Sequence, residues 1–197
     1  MSTAERPVPK AVKKAVQKAT VKQPQPAAAK SAPQIAHKSG YAAPPKPEKG
    51  EFKGKRIAVV ATRWNVEVVE ALTVGVHKCL KDWGVSPRDV QSFMVPGAFE
   101  LPLAASALMD SGKFEGVVAL GAVIRGDTPH FEFVAGECSR GLREAAQIYG
   151  VALGFGVLTV NTAEQAYERC KPGKENKGYE AAAAMLEMIR LLDSIDV

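Results

Sequence analysis

A tryptophan, a carboxylate, a histidine and an arginine, each beside a turn or at the edge of a helix, carry the chemistry this sequence offers: Trp64, Glu100, His130 and Arg169. An indole stacks on a planar ring. An imidazole titrates at about 6.5 when unperturbed, which suits proton transfer near neutrality. His130 follows Gly126-Asp127-Thr128, where a glycine, a hydroxyl and the free amides of a coming helix could cradle an oxyanion or phosphate. Asp127 works against that unless its side chain caps the helix. Glu100 reads either as a pocket carboxylate or as an acid favoured at a helix start, and Arg169 either as a phosphate ligand or as a cation complementing a helix end. Together these residues describe a site for an aromatic heterocycle and a small phosphate ester. No GxxxxGK[ST] and no GxGxxG is present, so a nucleotide cofactor is not indicated. No cofactor and no metal is expected.

Four polar junctions hold these residues, and each follows an apolar run. Residues 56–62, 90–95, 116–124 and 151–160 read as strands, the third a continuous apolar stretch suited to a sheet covered on both faces. Between them, residues 66–83, 101–110, 131–149, 163–170 and 177–192 read as helices, ended by Gly84, Gly112, Gly150 and the Pro172-Gly173 break. Thr162 is a plausible N-cap. Alternating strands and helices predict an α/β fold, three-layer α-β-α, with a four-stranded parallel sheet and helices on both faces. In such a sheet the four junctions share the carboxyl edge and should converge on one site.

The chain divides at about residue 50. Residues 1–50 hold ten Lys/Arg and two Glu, a local net charge of +8, and eight of the chain's 13 prolines. Residues 51–197 hold sixteen basic and nineteen acidic residues, a net of −3, so the overall +5 belongs to the tail. The Ala/Pro/Lys-rich tail is expected to be disordered; any nucleic-acid contact is expected to run through it alone. Residues 51–197 form the globular domain. Cys79, Cys138 and Cys170 are odd in number and lack metal-ligand spacing, which fits packed thiols in a reducing, cytoplasmic setting. No apolar run is long enough to span a membrane.

Five ordered motifs carry a resemblance: TRWN (62–65), PGAFELPLAA (96–105), GAVIRGDTPHFEFVAGECSRGL (121–142), GFGVLTVNTAEQAYERC (154–170) and NKGYEAA (176–182). On these motifs residues 52–195 resemble the 6,7-dimethyl-8-ribityllumazine synthases of riboflavin biosynthesis. The resemblance implies a flavodoxin-like transferase that condenses 5-amino-6-(D-ribitylamino)uracil with 3,4-dihydroxy-2-butanone 4-phosphate. It implies that Trp64 stacks on the pyrimidine and that Ala98, Phe99 and Glu100 hold the same substrate. Ala122, Val123 and Ile124 then line the pyrimidine slot through backbone groups. Asp127 and Thr128 bind the butanone phosphate, Arg169 holds its phosphate, and His130 transfers protons. Phe155 is expected to reach into a neighbouring subunit's site, because the family's sites lie between subunits of a pentamer. Pentamers of some members assemble into a sixty-subunit icosahedral shell, and the resemblance also leaves room for association with riboflavin synthase. Lys171-Pro172-Gly173-Lys174 departs from the family's usual Gly-Gly-Lys-type loop, so Lys174 receives no role. The alternatives are a protein of the same fold that retains a flavin or lumazine without turnover, a shell or pentamer whose basic tail captures an acidic partner, and a generic flavodoxin-like regulatory domain, against which the clustered loop motifs count.

Overall fold

A computed structural model describes residues 46–195. The expected disorder of the tail and its basic character fall almost wholly on residues outside that range. Within it, four strands, β1 (Ile57–Thr62), β2 (Val90–Val95), β3 (Gly116–Ile124) and β4 (Ala152–Val160), form one sheet in the order β2-β1-β3-β4. Every pairing is parallel, with Thr62 opposite Val95, Ala61 opposite Leu120, and Ile124 opposite Val160. This is the flavodoxin-like order through its first four strands.

The two central strands are apolar at successive positions because each face of the sheet is covered. Ile57, Val59, Val118 and Leu120 pack beneath α1 (Val66–Asp82), α4 (Ala163–Arg169) and α5 (Lys177–Ser194). Ala58, Val60, Val117 and Ala119 pack beneath α2 (Leu101–Asp110) and α3 (His130–Tyr149). Burial on both sides removes the polar alternation that a half-exposed strand would show. Two short 3-10 turns, Pro87–Asp89 and Ala98–Glu100, precede β2 and α2.

Element ends follow local chemistry. Gly84, Gly112 and Gly150 all adopt positive φ just after helices, where a side chain would be strained. The Thr162 hydroxyl accepts from the Gln165 amide and starts α4. The third helix begins at His130, one residue before the expected boundary, because Pro129 already sits at φ −64° in helical geometry. His130 is thereby part of a helix rather than of the loop.

The tightest contact in the fold lies between α1 and α5. Asn176 is 2% exposed and uses its whole amide. Its Nδ2 donates to the carbonyls of Cys170 and Ala71, and its Oδ1 accepts from the amides of Gly178 and Tyr179. A methyl group at Gly178 would lie 2.1 Å from the Leu72 carbonyl oxygen, and one at Gly75 would lie 2.1 Å from Asn176 Oδ1. Both helices need glycine there to close around the asparagine. At the other end of α5, Phe52 packs at a ring-centroid distance of 5.7 Å on Trp83, and Arg190 pairs with Glu51.

Candidate functional site

The carboxyl ends of β1, β2 and β3 open into a cleft of about 730 Å³. β1 delivers Trp64 on a junction of unusual backbone. Asn65 is the one non-glycine residue with positive φ among the described residues, at 54°. Asparagine tolerates this region better than most residues. Its side chain also supplies a tether, since Nδ2 donates to the Ala122 carbonyl at 2.8 Å. On the other side of Trp64, the Arg63 amide donates to the Val95 carbonyl at 3.1 Å. The tryptophan is thus slung between the ends of β2 and β3 with its indole 71% exposed. A packed core tryptophan is excluded.

Gly97 sets the next part of the site. A Cβ there would come 3.2 Å from Glu100 Oε2 and 3.3 Å from Trp64 Cδ1. The missing side chain lets the indole and the carboxylate approach the same backbone. Glu100 lies at the start of α2 but makes no capping hydrogen bond. Glu100 lines the cleft. Ala98 and Phe99 line the cleft beside it, as do Ala122, Val123 and Ile124 from the end of β3.

The third wall comes from the loop after β3 and the first turn of α3. Gly126, Thr128 and His130 line the cleft, joined by Phe131, Phe133 and Val134. The spacing of His130, Phe133 and Val134 places them on one helical face, a three-to-four-residue period legible in the sequence but overlooked there. Asp127 is exposed and has no hydrogen-bond or ion-pair partner among the described residues. It does not cap α3, whose N-cap position is Pro129 without a side-chain hydrogen bond. At the helix start the Glu132 amide donates to the Pro129 carbonyl at 3.1 Å, and no side chain caps the turn. Asp127 itself is not a lining residue.

Arg169 and Phe155 do not line this cleft. Arg169 ends α4, donates from Nη1 to the Gln165 carbonyl of its own helix, and lines a separate depression of about 500 Å³ with Phe155 and Glu180. Phe155 sits in the middle of β4, an outer strand, so its exposed ring lies away from the carboxyl edge of the sheet. The β4 junction meets the loop after β3 through Asn161, whose Oδ1 accepts from Arg125 Nε at 3.0 Å. Periodicity could not foresee this because it fixes which strand a residue belongs to, not which flank of the sheet it leaves by.

The three thiols stand outside this chemistry. All are buried, and burial pushes Cys79 and Cys138 up to about 12, so they stay protonated and packed. Among the described residues no group of three or more His, Cys, Asp or Glu is gathered to hold a metal ion, and no helix is long and apolar enough to cross a membrane. The cleft offers an exposed ring stacker, a carboxylate, a helix start and an imidazole within one concavity. A family model described as 6,7-dimethyl-8-ribityllumazine synthase matches residues 54–193.

Proposed function

The chain belongs to the 6,7-dimethyl-8-ribityllumazine synthase family, whose activity lies in riboflavin biosynthesis, and from that premise we propose how its own residues divide the reaction. The substrates are 5-amino-6-(D-ribitylamino)uracil and 3,4-dihydroxy-2-butanone 4-phosphate. Trp64 stacks on the pyrimidine, whose edge meets the backbone of Ala122, Val123 and Ile124. Ala98 and Phe99 flank the same substrate, and Glu100 accepts hydrogen bonds from the ribityl hydroxyls. Asp127 and Thr128, at the start of α3, receive the butanone phosphate, and Arg169 holds its phosphate group.

The uracil amine attacks the butanone carbonyl and water leaves to give an imine. Phosphate is then eliminated, the resulting enol tautomerises, and the second amine closes the ring with loss of a second water. His130 moves protons to and from nitrogen and oxygen during these steps. The substrates supply most of the reactivity, so the protein contributes chiefly by holding them in register.

The observation that carries this reading is the cleft itself: Trp64, Glu100 and His130, from three different strand ends, line one concavity large enough for both substrates. Phe155 and Arg169 share a depression of their own, which favours a homo-oligomer in which one copy offers these two residues to the cleft of the next. That arrangement fits the pentamer implied by the family. Mixing the purified protein with both substrates should produce lumazine absorbance and fluorescence together with free phosphate. Absence of product from folded, assembled protein would overturn the assignment.

A further inference from the structure

Arg125 stands in the loop between β3 and α3 and belongs to no role assigned above. Its position is unusual in the number of elements it grips. Its amide donates to the Val160 carbonyl at 2.9 Å, extending the β3–β4 ladder by one rung. Its Nε donates to Asn161 Oδ1 at 3.0 Å, and Asn161 is in turn fixed by its own amide donating to Gln165 Oε1. Its Nη1 pairs with Glu132 in the first turn of α3. Its guanidinium carbon lies 4.2 Å from the centroid of the Phe131 ring, a cation–π distance. One side chain thus joins the end of β3, the β4–α4 junction and the two residues that follow His130.

We propose that Arg125 is a positioning residue for His130, which it fixes by clamping Phe131 and Glu132 against the edge of the sheet. The inference rests on the reading of His130 as the proton-transfer residue. An exposed ion pair by itself contributes little stability. The planar guanidinium fork instead sets direction, because two donors and a stacking face must be satisfied at once. Its contact with Glu132 also holds that carboxyl below the usual carboxylate range, so the pair stays charged at neutrality. Its Nε and Nη1 are engaged by Asn161 and Glu132, which turns the fork toward the protein. The first turn of α3 needs such a clamp, since no side chain caps it.

A double-mutant cycle on the full-length protein with the two proposed substrates tests this. Arg125→Met is expected to lower kcat by about tenfold, within the loss typical of impaired acid–base catalysis, while changing either KM by less than about threefold. In a His130→Ala background the same substitution should change kcat by less than about twofold, because its target is gone. Arg125→Lys keeps the charge without the fork and should recover only part of the loss. Asn161→Ala, which cuts one arm of the clamp, should give a smaller kcat loss of the same kind and guards against misfolding of the Met variant. Equal losses in both backgrounds would overturn the inference. So would a raised KM for the butanone phosphate at unchanged kcat, which would make Arg125 a ligand. If His130→Ala alone turns over at the wild-type rate, the reading of His130 fails first, and the clamp loses its object with it.

Discussion

His130 occupies the first residue of α3, and a side chain there leans back over the preceding loop because helical Cα–Cβ bonds tilt toward the N-terminus. His130 lines the cleft together with Gly126 and Thr128, where the proposed phosphate substrate would bind. His130→Ala should lower kcat by about 10²-fold or less and leave both KM values nearly unchanged. Arg169→Ala should do the reverse, raising KM for the butanone phosphate with a smaller change in kcat. Steady-state kinetics with each substrate varied in turn distinguishes the two. Gly97 provides a third residue-scale test. An alanine there is allowed by the extended backbone at φ −155°, yet its methyl would crowd both Glu100 and the indole. Gly97→Ala should lower kcat/KM for the uracil by about tenfold or less while stability stays within about 0.5 kcal/mol of wild type. A large loss of stability, read from denaturant unfolding, would show the glycine to be a folding requirement instead.

At the scale of elements, the Asn176 node connects packing to the site. The carbonyl it holds belongs to Cys170, the residue after Arg169. Its oxygen caps α5 and its nitrogen binds α1 and the end of α4, so one amide fixes three helices. Asn176→Ala removes a helix cap worth about 1 kcal/mol and strands buried carbonyls at about 1–3 kcal/mol. A combined loss of about 2–4 kcal/mol is expected in chemical denaturation at fixed protein concentration. The same variant should raise KM for the phosphate substrate, since the end of α4 is freed. Most elements were legible from sequence because the signals are local. Apolar runs marked the strands, glycines at positive φ marked the helix ends, and Thr162 announced α4. The helix start at His130 was misplaced by one residue because proline in helical geometry reads as a breaker until the chain around it is known.

For the whole molecule, the decisive feature is the separation of the cleft from the Phe155–Arg169 depression. If one copy completes the site of the next, two impaired variants should rescue one another. Reassembled mixtures of His130→Ala and Arg169→Ala chains in equal amounts should recover about a quarter of wild-type activity at low phosphate-substrate concentration. That is the statistical share of sites in a ring that join an intact histidine to an intact arginine. No recovery from verified mixed oligomers would place the complete site within one chain. A further depression of about 530 Å³ lies at the opposite end of β4, floored by Leu153, Met188 and Leu192 with Arg143 at its rim. Phe155 lines it as well as the Arg169 depression, so that ring stands between the two.

The sequence alone determined the α/β alternation, the parallel sheet and the strand ends that bear Trp64, Glu100 and His130. Those properties follow from periodicity and turn chemistry within about twenty residues of chain. Its five motifs also pointed to the family. Tertiary structure decided what depends on residues far apart: that Gly97 lets Trp64 and Glu100 meet, that Asn65 ties the tryptophan junction to Ala122, and that Arg125 clamps the turn carrying His130. It also decided that Phe155 and Arg169 line a depression apart from the cleft. Strand order and the direction in which a side chain departs are set by packing across the sheet, and no local pattern encodes them.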